Sequence, residues 1–361
     1  MQWQMRWQVR WQARWQVRWQ MRWQVRRHMR CEAKLPAVLP ARSSDGLPVR
    51  LAAWLSFLPV AAVLVACGGG GGGGDSSTTN VPPNTPVAPE VQPGAPAATG
   101  DTATDGFAWF NYRRTQIGLA PLARNALIDA AAAGHSNYLR LNNTVSHDQA
   151  AGNPGFTGAA LGNRLAAAGY APAGNYAYGE VISAAGDRAG FFHAEELITA
   201  IYHRFLVFEP VFREMGVGAA TANNYTYFTA DFATSGGYGA GVARGSVATY
   251  PASGQTAVPV NFMSDSESPD PVPNLNEVGY PVSVHANISS ALSVTSFTIR
   301  PRGGSDLAVR LLASAADTHT PKSAAAVVPL ARLAAGTTYD VAFRGTVDNV
   351  NVTRDWSFTT R

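Results

Sequence analysis

Two polar residues that could do chemistry lie in the stretch YHRFLVFEPVFREMGVG, residues 202–218. His203 ends a predicted helix, and Glu214 follows eleven residues later, just before an apolar run interrupted by glycines. An imidazole and a carboxylate in one cleft could hold a divalent ion or act as a general base. A single histidine on a helix is more often an ordinary polar residue, so the pair is a candidate site only if other elements bring further groups to it.

The other histidines and serines give little support to a catalytic triad. Ser136 adjoins His135 and Ser146 adjoins His147, but adjacency in sequence does not establish a hydrogen bond between nucleophile and base. The chain contains no G-x-S-x-G elbow and no H-E-x-x-H pair. We expect His135 to be a hydrogen-bonded core residue of a helix, and His193, which opens a helix, to be a surface residue.

Periodicity indicates which elements must position these groups. Apolar residues recur every three or four positions in GFAWFNYRRTQIG, ALIDAAAAGHSNYLRL, ALGNRLAAAGY and FHAEELITAIYHRF, which predicts amphipathic helices. The segments REMGVGAAT and NNYTYFTADFA alternate apolar and polar residues, as half-buried strands do. Helices followed by a small antiparallel sheet predict an α+β fold.

Several short motifs follow one another along this part of the chain: Asn111 with Arg114, then GLAPL, HSNY, SH at 146–147, GE at 179–180, YHR at 202–204 and EMGVG at 214–218. Their order resembles the SCP or CAP superfamily, which includes cysteine-rich secretory proteins, venom antigen 5 and plant pathogenesis-related proteins. The resemblance implies an α–β–α sandwich over residues 105–236. It also implies a cavity lined by two histidines and two acidic residues, which by position are His147, Glu180, His203 and Glu214.

The implied site suits a weakly bound divalent ion. Two neutral imidazoles fit Zn²⁺ or a similar ion, and two carboxylates could orient them or hold a metal-bound water. Two histidines fall short of the three protein ligands usual for a catalytic zinc, so we expect weak binding. The sequence departs from SPGHR, the commoner bacterial form of this motif, because Ile201 and Tyr202 directly precede His203. The segment FEP makes Glu209 a further acidic candidate near the rim of the cavity.

The segment at 51–67 predicts export. Arg50 precedes an apolar run, Leu51 to Ala66, that is short for a membrane span and typical of a signal peptide. The following LVAC resembles the lipobox of bacterial lipoproteins, which implies that Cys67 is lipidated and becomes the mature N-terminus. Because Gly68 and not an aspartate follows, the resemblance implies the outer membrane of a Gram-negative bacterium. A plain secretory signal or a short membrane anchor is the alternative.

Two low-complexity segments flank this signal. Residues 1–50 contain a four-residue Trp/Gln/Arg repeat and a basic region, and we interpret the repeat as a tandem nucleotide repeat upstream of a wrongly assigned start codon. Residues 68–104, rich in Gly, Pro and Thr, predict a disordered tether. Eleven of the 28 Lys and Arg residues precede Cys67, and from Cys67 onward the net charge is −5, so the pI of 9.2 does not indicate a nucleic-acid partner.

Residues 245–361 have an all-β pattern. Short alternating runs such as YPVSVHAN, LSVTSFTIRP and TTYDVAFRGTV are separated by Gly, Pro, Asn and Asp. Strands at this spacing predict an antiparallel sandwich, and PASGQTAVP, LAAGTTYDVAF and WSFTT resemble bacterial Ig-like domains. This segment shows no cluster of titratable residues, and we expect it to be a spacer or adhesion module.

Three functions remain in competition. The first is a surface lipoprotein whose CAP-like domain binds a lipid, a sterol-like molecule or a divalent metal without turnover. The second is a hydrolase that uses His147 or His203 as a base, with or without a metal, and a serine hydroxyl within about 3 Å of one of them would favour it. The third is an adhesion protein in which the Ig-like segment acts and the CAP-like segment is a scaffold.

Overall fold

In residues 93–361, which the computed structural model describes, the first half is built from five helices and four strands. The helices are α1 (Thr102–Gln116), α2 (Ala126–Asn142), α3 (Leu161–Ala167), α4 (Gly190–Thr199) and α5 (Ile201–Val207). The strands are β1 (Ala123–Arg124), β2 (Ala177–Ala185), β3 (Glu214–Ala222) and β4 (Tyr225–Thr234). This confirms the combination of helices and strands predicted from the periodicity.

Local sequence explains where the two longest helices begin and end. Asp101 and Asn125 each accept a hydrogen bond from a backbone N–H in the following turn, so α1 and α2 both start at a side-chain N-cap. Asn143 ends α2 in the left-handed conformation with φ of 47°, which asparagine adopts more readily than most residues. Helix α2 is therefore fixed at both ends, and the loop that carries His147 starts from a defined point.

The four strands form a sheet in the order β1-β3-β4-β2, in which only the β1–β3 pair is parallel. Glu180 on β2 lies directly opposite Asp231 on β4, and Asp231 lies opposite Gly216 on β3. Directly opposed residues face the same side of a sheet, so the side chains of Glu180 and Asp231 share the face on which Gly216 lies. At Gly216 and Gly218 that face lies against the backbone of α2.

The opposite face of the sheet packs on α1 and α4. Phe228 and Phe232 on β4 contact Phe110 of α1, with ring centroids 6.2 and 5.5 Å apart. Phe191 of α4 belongs to the same buried cluster. Helices thus cover both faces of the sheet, and the edge strand β2 lies at the border between the two helical layers.

The rest of the described chain is mostly strand. Its strands are β5 (Ala248–Tyr250), β6 (Asn261–Met263), β7 (Glu277–Gly279), β8 (Val282–His285), β9 (Leu292–Pro301), β10 (Val309–Ala313), β11 (Ala324–Pro329), β12 (Thr338–Val347) and β13 (Val350–Thr359). They form sheets in the orders β10-β11-β8-β5, β13-β12-β9 and β6-β7. A short 3₁₀ helix, Ser264–Ser266, follows β6. We call residues 245–361 the strand-rich segment.

The helical part and the strand-rich segment share buried side chains. Phe205 of α5 packs in one cluster with Phe262 and Val278. Arg204, fully buried, lies over the rings of both Tyr250 and Tyr280, with its guanidinium carbon 4.8 and 4.9 Å from their centroids. Such stacking is favourable for a desolvated guanidinium. Residues 93–361 accordingly belong to a single compact unit.

The predictions for the N-terminal region lie outside the described residues. They are the repeat at 1–50, the apolar segment and lipobox at 51–67 with Cys67, and the tether as far as residue 92. Within the part that the structure describes, no helix is long and apolar enough to cross a membrane.

Candidate functional site

His147 and Glu180 are brought together by the loop after α2 and the edge strand β2. Nδ1 of His147 lies 2.8 Å from Oε1 of Glu180. Arg164 of α3 donates from Nη2 to Oε2 of Glu180 at 2.6 Å and from Nη1 to the backbone carbonyl of His147 at 2.9 Å. One buried arginine therefore fixes both members of the pair. The His147 side chain is 47% exposed, whereas that of Glu180 is 3% exposed.

Glu180 is ionised although it is buried. Burial alone would raise the pKa of Glu180, but the hydrogen bond from His147 and the positive charges of His135, when protonated, and of Arg164 outweigh burial and lower that pKa to about 2. Asp231, opposite Glu180, is also buried, and its oxygens receive no hydrogen bond from a donor in residues 93–361. Burial and the negative charge of Glu180 raise the pKa of Asp231 well above its usual range, which favours the neutral form of this carboxyl.

His135 of α2 lies behind the pair and is neutral. Its Nε2 donates to the carbonyl of Ser146 and its Nδ1 accepts from the side-chain amide of Gln149, both at 2.9 Å. Burial lowers the pKa of His135 to about 4. His135 therefore forms no ion pair with Glu180, although its Nε2 is 3.8 Å from Oε1. The prediction that it is a hydrogen-bonded core residue is confirmed.

The contact with Glu180 determines which nitrogen of His147 carries the proton. A carboxylate only accepts hydrogen bonds, so Nδ1 of His147 must be the donor. In neutral His147 the acceptor nitrogen is then Nε2. A carboxylate that holds one ring nitrogen in this way is the usual support of a histidine that ligates a metal.

His203 makes a second pair of the same kind, with an acid that was not predicted. Nδ1 of His203 lies 2.9 Å from Oε1 of Glu267, which is in the strand-rich segment. The same oxygen accepts the backbone N–H groups of Tyr202 at 2.7 Å and of His203 at 3.0 Å. The His203 side chain is 21% exposed and that of Glu267 is fully buried. His203 is therefore also held through Nδ1, with part of its ring exposed to solvent.

Glu214 makes its contacts elsewhere. It accepts hydrogen bonds from Nδ2 of Asn125 and from the hydroxyl of Tyr170, both at 2.6 Å. Glu214 lies opposite Ala233 on β4, two residues further along that strand than Asp231, the residue opposite Glu180. This offset, together with the two strand spacings from β3 to β2, puts the Cα atoms of Glu214 and Glu180 roughly 12 Å apart. The contacts of Glu214 thus support the start of α2, and they do not include either predicted histidine.

Two other polar residues differ from expectation. Glu209, considered for the rim, is buried, and its Oε1 accepts backbone N–H groups of Val211 and Ile288 at 3.2 and 2.9 Å. Burial raises the pKa of Glu209 to about 7. His193 is fully buried, so the expectation of a surface residue was wrong. Its first-turn position in α4 faces the sheet, where its ring stacks on Phe228.

Within residues 93–361, hydrogen bonds between a serine hydroxyl and a histidine ring occur at two buried positions. Ser183 Oγ lies 2.8 Å from Nδ1 of His193, and Ser283 Oγ lies 2.9 Å from Nε2 of His285. All four side chains are below a tenth exposed. A substrate cannot reach a nucleophile in either pair, so these contacts are structural.

Comparison with known families concerns the part of the chain built from α1–α5 and β1–β4. Residues 107–232 match the family model "CAP: Cysteine-rich secretory protein family". This segment is a CAP domain. His147, Glu180, His203 and Glu214 lie within the matched residues, whereas Glu267 lies beyond them. No curated protein shows significant sequence similarity to the chain.

Two solved structures are similar to part of the chain. The crystal structure of an extracellular protein containing an SCP domain from Bacillus anthracis str. Ames is 25% identical, with a TM-score of 0.31, over 41% of this chain and 44% of that one. The chain thus spans less than half the length of that protein. An outer surface protein from Borrelia burgdorferi is 15% identical, with a TM-score of 0.30, over 36% of this chain and 89% of that one.

The CAP domain presents two oriented imidazoles and not a preformed multidentate metal site. In residues 93–361, no group of three or more His, Cys, Asp or Glu side chains is placed to hold a metal ion. The donor chemistry fits an ion held by imidazole nitrogen with water in the other positions. Arg164, Asp231 and Glu267 were missed by the sequence analysis. Asp231 had a detectable signal, because it is the one charged residue in the apolar alternation of YFTADFA.

Proposed function

We propose that this protein is an exported CAP-domain protein that binds a divalent cation, without turnover, through Nε2 of His147 and of His203. The observation that carries the proposal is that each histidine is held through Nδ1 by a buried carboxylate, Glu180 in one case and Glu267 in the other. With the proton held on Nδ1, the lone pair of the neutral ring is on Nε2. An imidazole binds a metal ion through such a lone pair. Of the ligand classes predicted, a cation fits these groups better than a lipid or sterol.

The geometry supports weak binding. Two imidazoles provide fewer protein ligands than a structural or catalytic zinc site normally has. The positive charge of Arg164, 2.6 Å from Glu180, also opposes a cation at that carboxylate. Glu180 therefore orients His147 and does not bind the ion directly. Glu214 is not one of the proposed ligands, because both of its carboxylate oxygens accept hydrogen bonds from Asn125 and Tyr170.

A hydrolase has less support from the same contacts. In residues 93–361, the serine–histidine pairs of His193 and His285 are buried, where a substrate cannot reach them. Covalent catalysis would need a nucleophilic side chain beside His147 or His203. The proposal of binding without turnover needs only an oriented imidazole that solvent can reach.

We further propose that the CAP domain is attached to the outer membrane through lipidated Cys67 and the Gly/Pro-rich tether. This rests on the LVAC sequence after the apolar run and on the tether composition. For the strand-rich segment we retain the Ig-like sandwich as a proposal. It is supported by the alternating strands and by the antiparallel pairing of β9, β12 and β13.

Calorimetric titration of residues 76–361 with Zn²⁺ tests the proposed site. His147→Gln and His203→Gln should each reduce binding below detection, and Glu180→Ala should weaken it less, by roughly 10–100-fold. His319→Gln, which removes an imidazole outside the proposed site, is the matched control. Equal binding by the wild type and both histidine variants would rule the site out.

A further inference from the structure

Glu267 holds the first turn of α5 from outside the CAP domain. Its Oε1 receives three N–H groups, from the backbone of Tyr202, the backbone of His203 and the ring of His203, at 2.7, 3.0 and 2.9 Å. The residue lies 64 positions after His203 in sequence and follows the 3₁₀ helix of the strand-rich segment. The hydroxyl of Tyr202 also donates to Asp317 at 3.0 Å. The strand-rich segment therefore contacts the YHR motif through two acidic side chains, Glu267 and Asp317.

The two backbone donors fix the polarity of the contact with the ring. Because a backbone N–H can only donate, Oε1 of Glu267 is an acceptor, and Nδ1 of His203 must donate to it. We propose that Glu267 is the positioning carboxylate of His203, so that the strand-rich segment supplies part of the CAP-domain site. The role matches that of Glu180 toward His147. This inference rests on the proposed function only for its consequence on metal binding, and the orientation of the ring can be tested separately.

The second oxygen of Glu267 indicates that the residue is more than a cap. Oε2 is buried and has no hydrogen-bond partner in residues 93–361. A buried acceptor without a partner costs stability, and more so on a charged group. An asparagine, serine or threonine would cap a helix without that cost. The presence of a carboxylate at this position is explained if its charge stabilises the orientation of the His203 ring as well as the first N–H groups of the helix.

The protonation pattern of His203 separates the two roles. If Glu267 only caps the backbone, removing it would leave the ring tautomer unchanged. If it positions the imidazole, the proton stays on Nδ1 only while an acceptor occupies the place of Oε1. Glu267→Gln keeps a carbonyl acceptor of the same reach, and Glu267→Ala keeps none.

The test is ¹⁵N NMR of the purified full chain labelled at its histidine rings, at an alkaline pH where imidazoles are neutral. The His203 signals are assigned by their loss in His203→Gln. We expect Nδ1 of His203 to be the protonated nitrogen in the wild type and in Glu267→Gln, and the two tautomers to mix in Glu267→Ala. Glu277→Ala, which removes a partly exposed glutamate of β7, is the control and should leave His203 unchanged.

The observed tautomers decide whether Glu267 positions the ring of His203, and each result tests this role. A wild-type His203 protonated at Nε2, or an unchanged tautomer in folded Glu267→Ala, would overturn it. If Glu267→Ala does not fold, the wild type and Glu267→Gln decide, since both must show Nδ1–H. Zn²⁺ titration of the same samples should show roughly 10–100-fold weaker binding in Glu267→Ala. Absence of Zn²⁺ binding by a wild type with the expected tautomer would defeat the proposed function and leave the positioning role intact.

Discussion

Glu209 provides a pH-dependent test of the junction between the CAP domain and the strand-rich segment. Its side chain is buried and accepts N–H groups from Val211, next to the CAP domain's β3, and from Ile288 in the strand-rich segment. Burial raises the pKa of Glu209 from 4.5 to about 7, although these hydrogen bonds and the charge of Arg114 act in the opposite direction. The folded protein therefore holds a proton on Glu209 that the unfolded chain releases near pH 4.5.

The sign and size of the effect follow from linkage. Because the folded state binds more protons between the two pKa values, this group's contribution to stability is complete below about pH 4.5. It is lost as the pH rises through about 7. At 1.36 kcal/mol per pKa unit, the full loss is about 3 kcal/mol. Glu209→Gln keeps the accepting oxygen and has no proton to lose, so it should escape this loss.

Urea denaturation at pH 5 and pH 8 measures the effect. The stability of Glu209→Gln relative to the wild type should increase by about 2.5 kcal/mol between those two pH values. Taking the difference between variant and wild type cancels the titration of all other groups that the substitution does not disturb. Glu277→Gln, at a side chain that is 44% exposed, is the matched control and should show no such increase. A constant difference for Glu209→Gln would refute the argument.

Three further predictions concern other features of the chain. Arg164→Met leaves the buried charge of Glu180 unpaired, and we expect urea denaturation to show a loss of about 3–5 kcal/mol. Gly218→Ala places a Cβ against the backbone of Ala133, and thermal unfolding should show a destabilisation of about 1–3 kcal/mol or more, whereas Gly186→Ala, whose Cβ would meet nothing closer than 3.9 Å, should not show this overpacking. Cys67→Ser should remove the protein from the membrane fraction, and unchanged partitioning would contradict lipidation.

Sequence patterns identify the elements of this fold well because burial imposes a period. The alternation in EMGVGAATA and YTYFTADFAT corresponds to strands β3 and β4, and the glycines 216 and 218 in EMGVG are the positions where α2 approaches the sheet. Periodicity does not reveal which elements pack together. It therefore gave no sign that α5 shares a buried cluster with β6 and β7 of the strand-rich segment.

The candidate site was predictable only as far as the motif order extends. His147 and Glu180 are 33 residues apart, and no local pattern joins them, but the order of family motifs placed both in one cavity and the structure shows them in contact. Glu267 lies outside the CAP domain, in a loop whose sequence, SDSESPD, contains several acidic residues of equal appearance. Selecting it requires the tertiary structure. For Glu214, the partners Asn125 and Tyr170 are likewise distant in sequence.

The most direct test of a cation site between two oriented histidines is anomalous diffraction from crystals of residues 76–361 grown with Zn²⁺. We predict an anomalous peak in contact with Nε2 of His147 and of His203, while both Nδ1 atoms keep their contacts with Glu180 and Glu267. The peak should disappear in crystals of the His147→Gln, His203→Gln double variant. An ion bound at Glu214 or through either Nδ1 atom, or the absence of an ion from both histidines in Zn²⁺-loaded crystals, would contradict the proposed site.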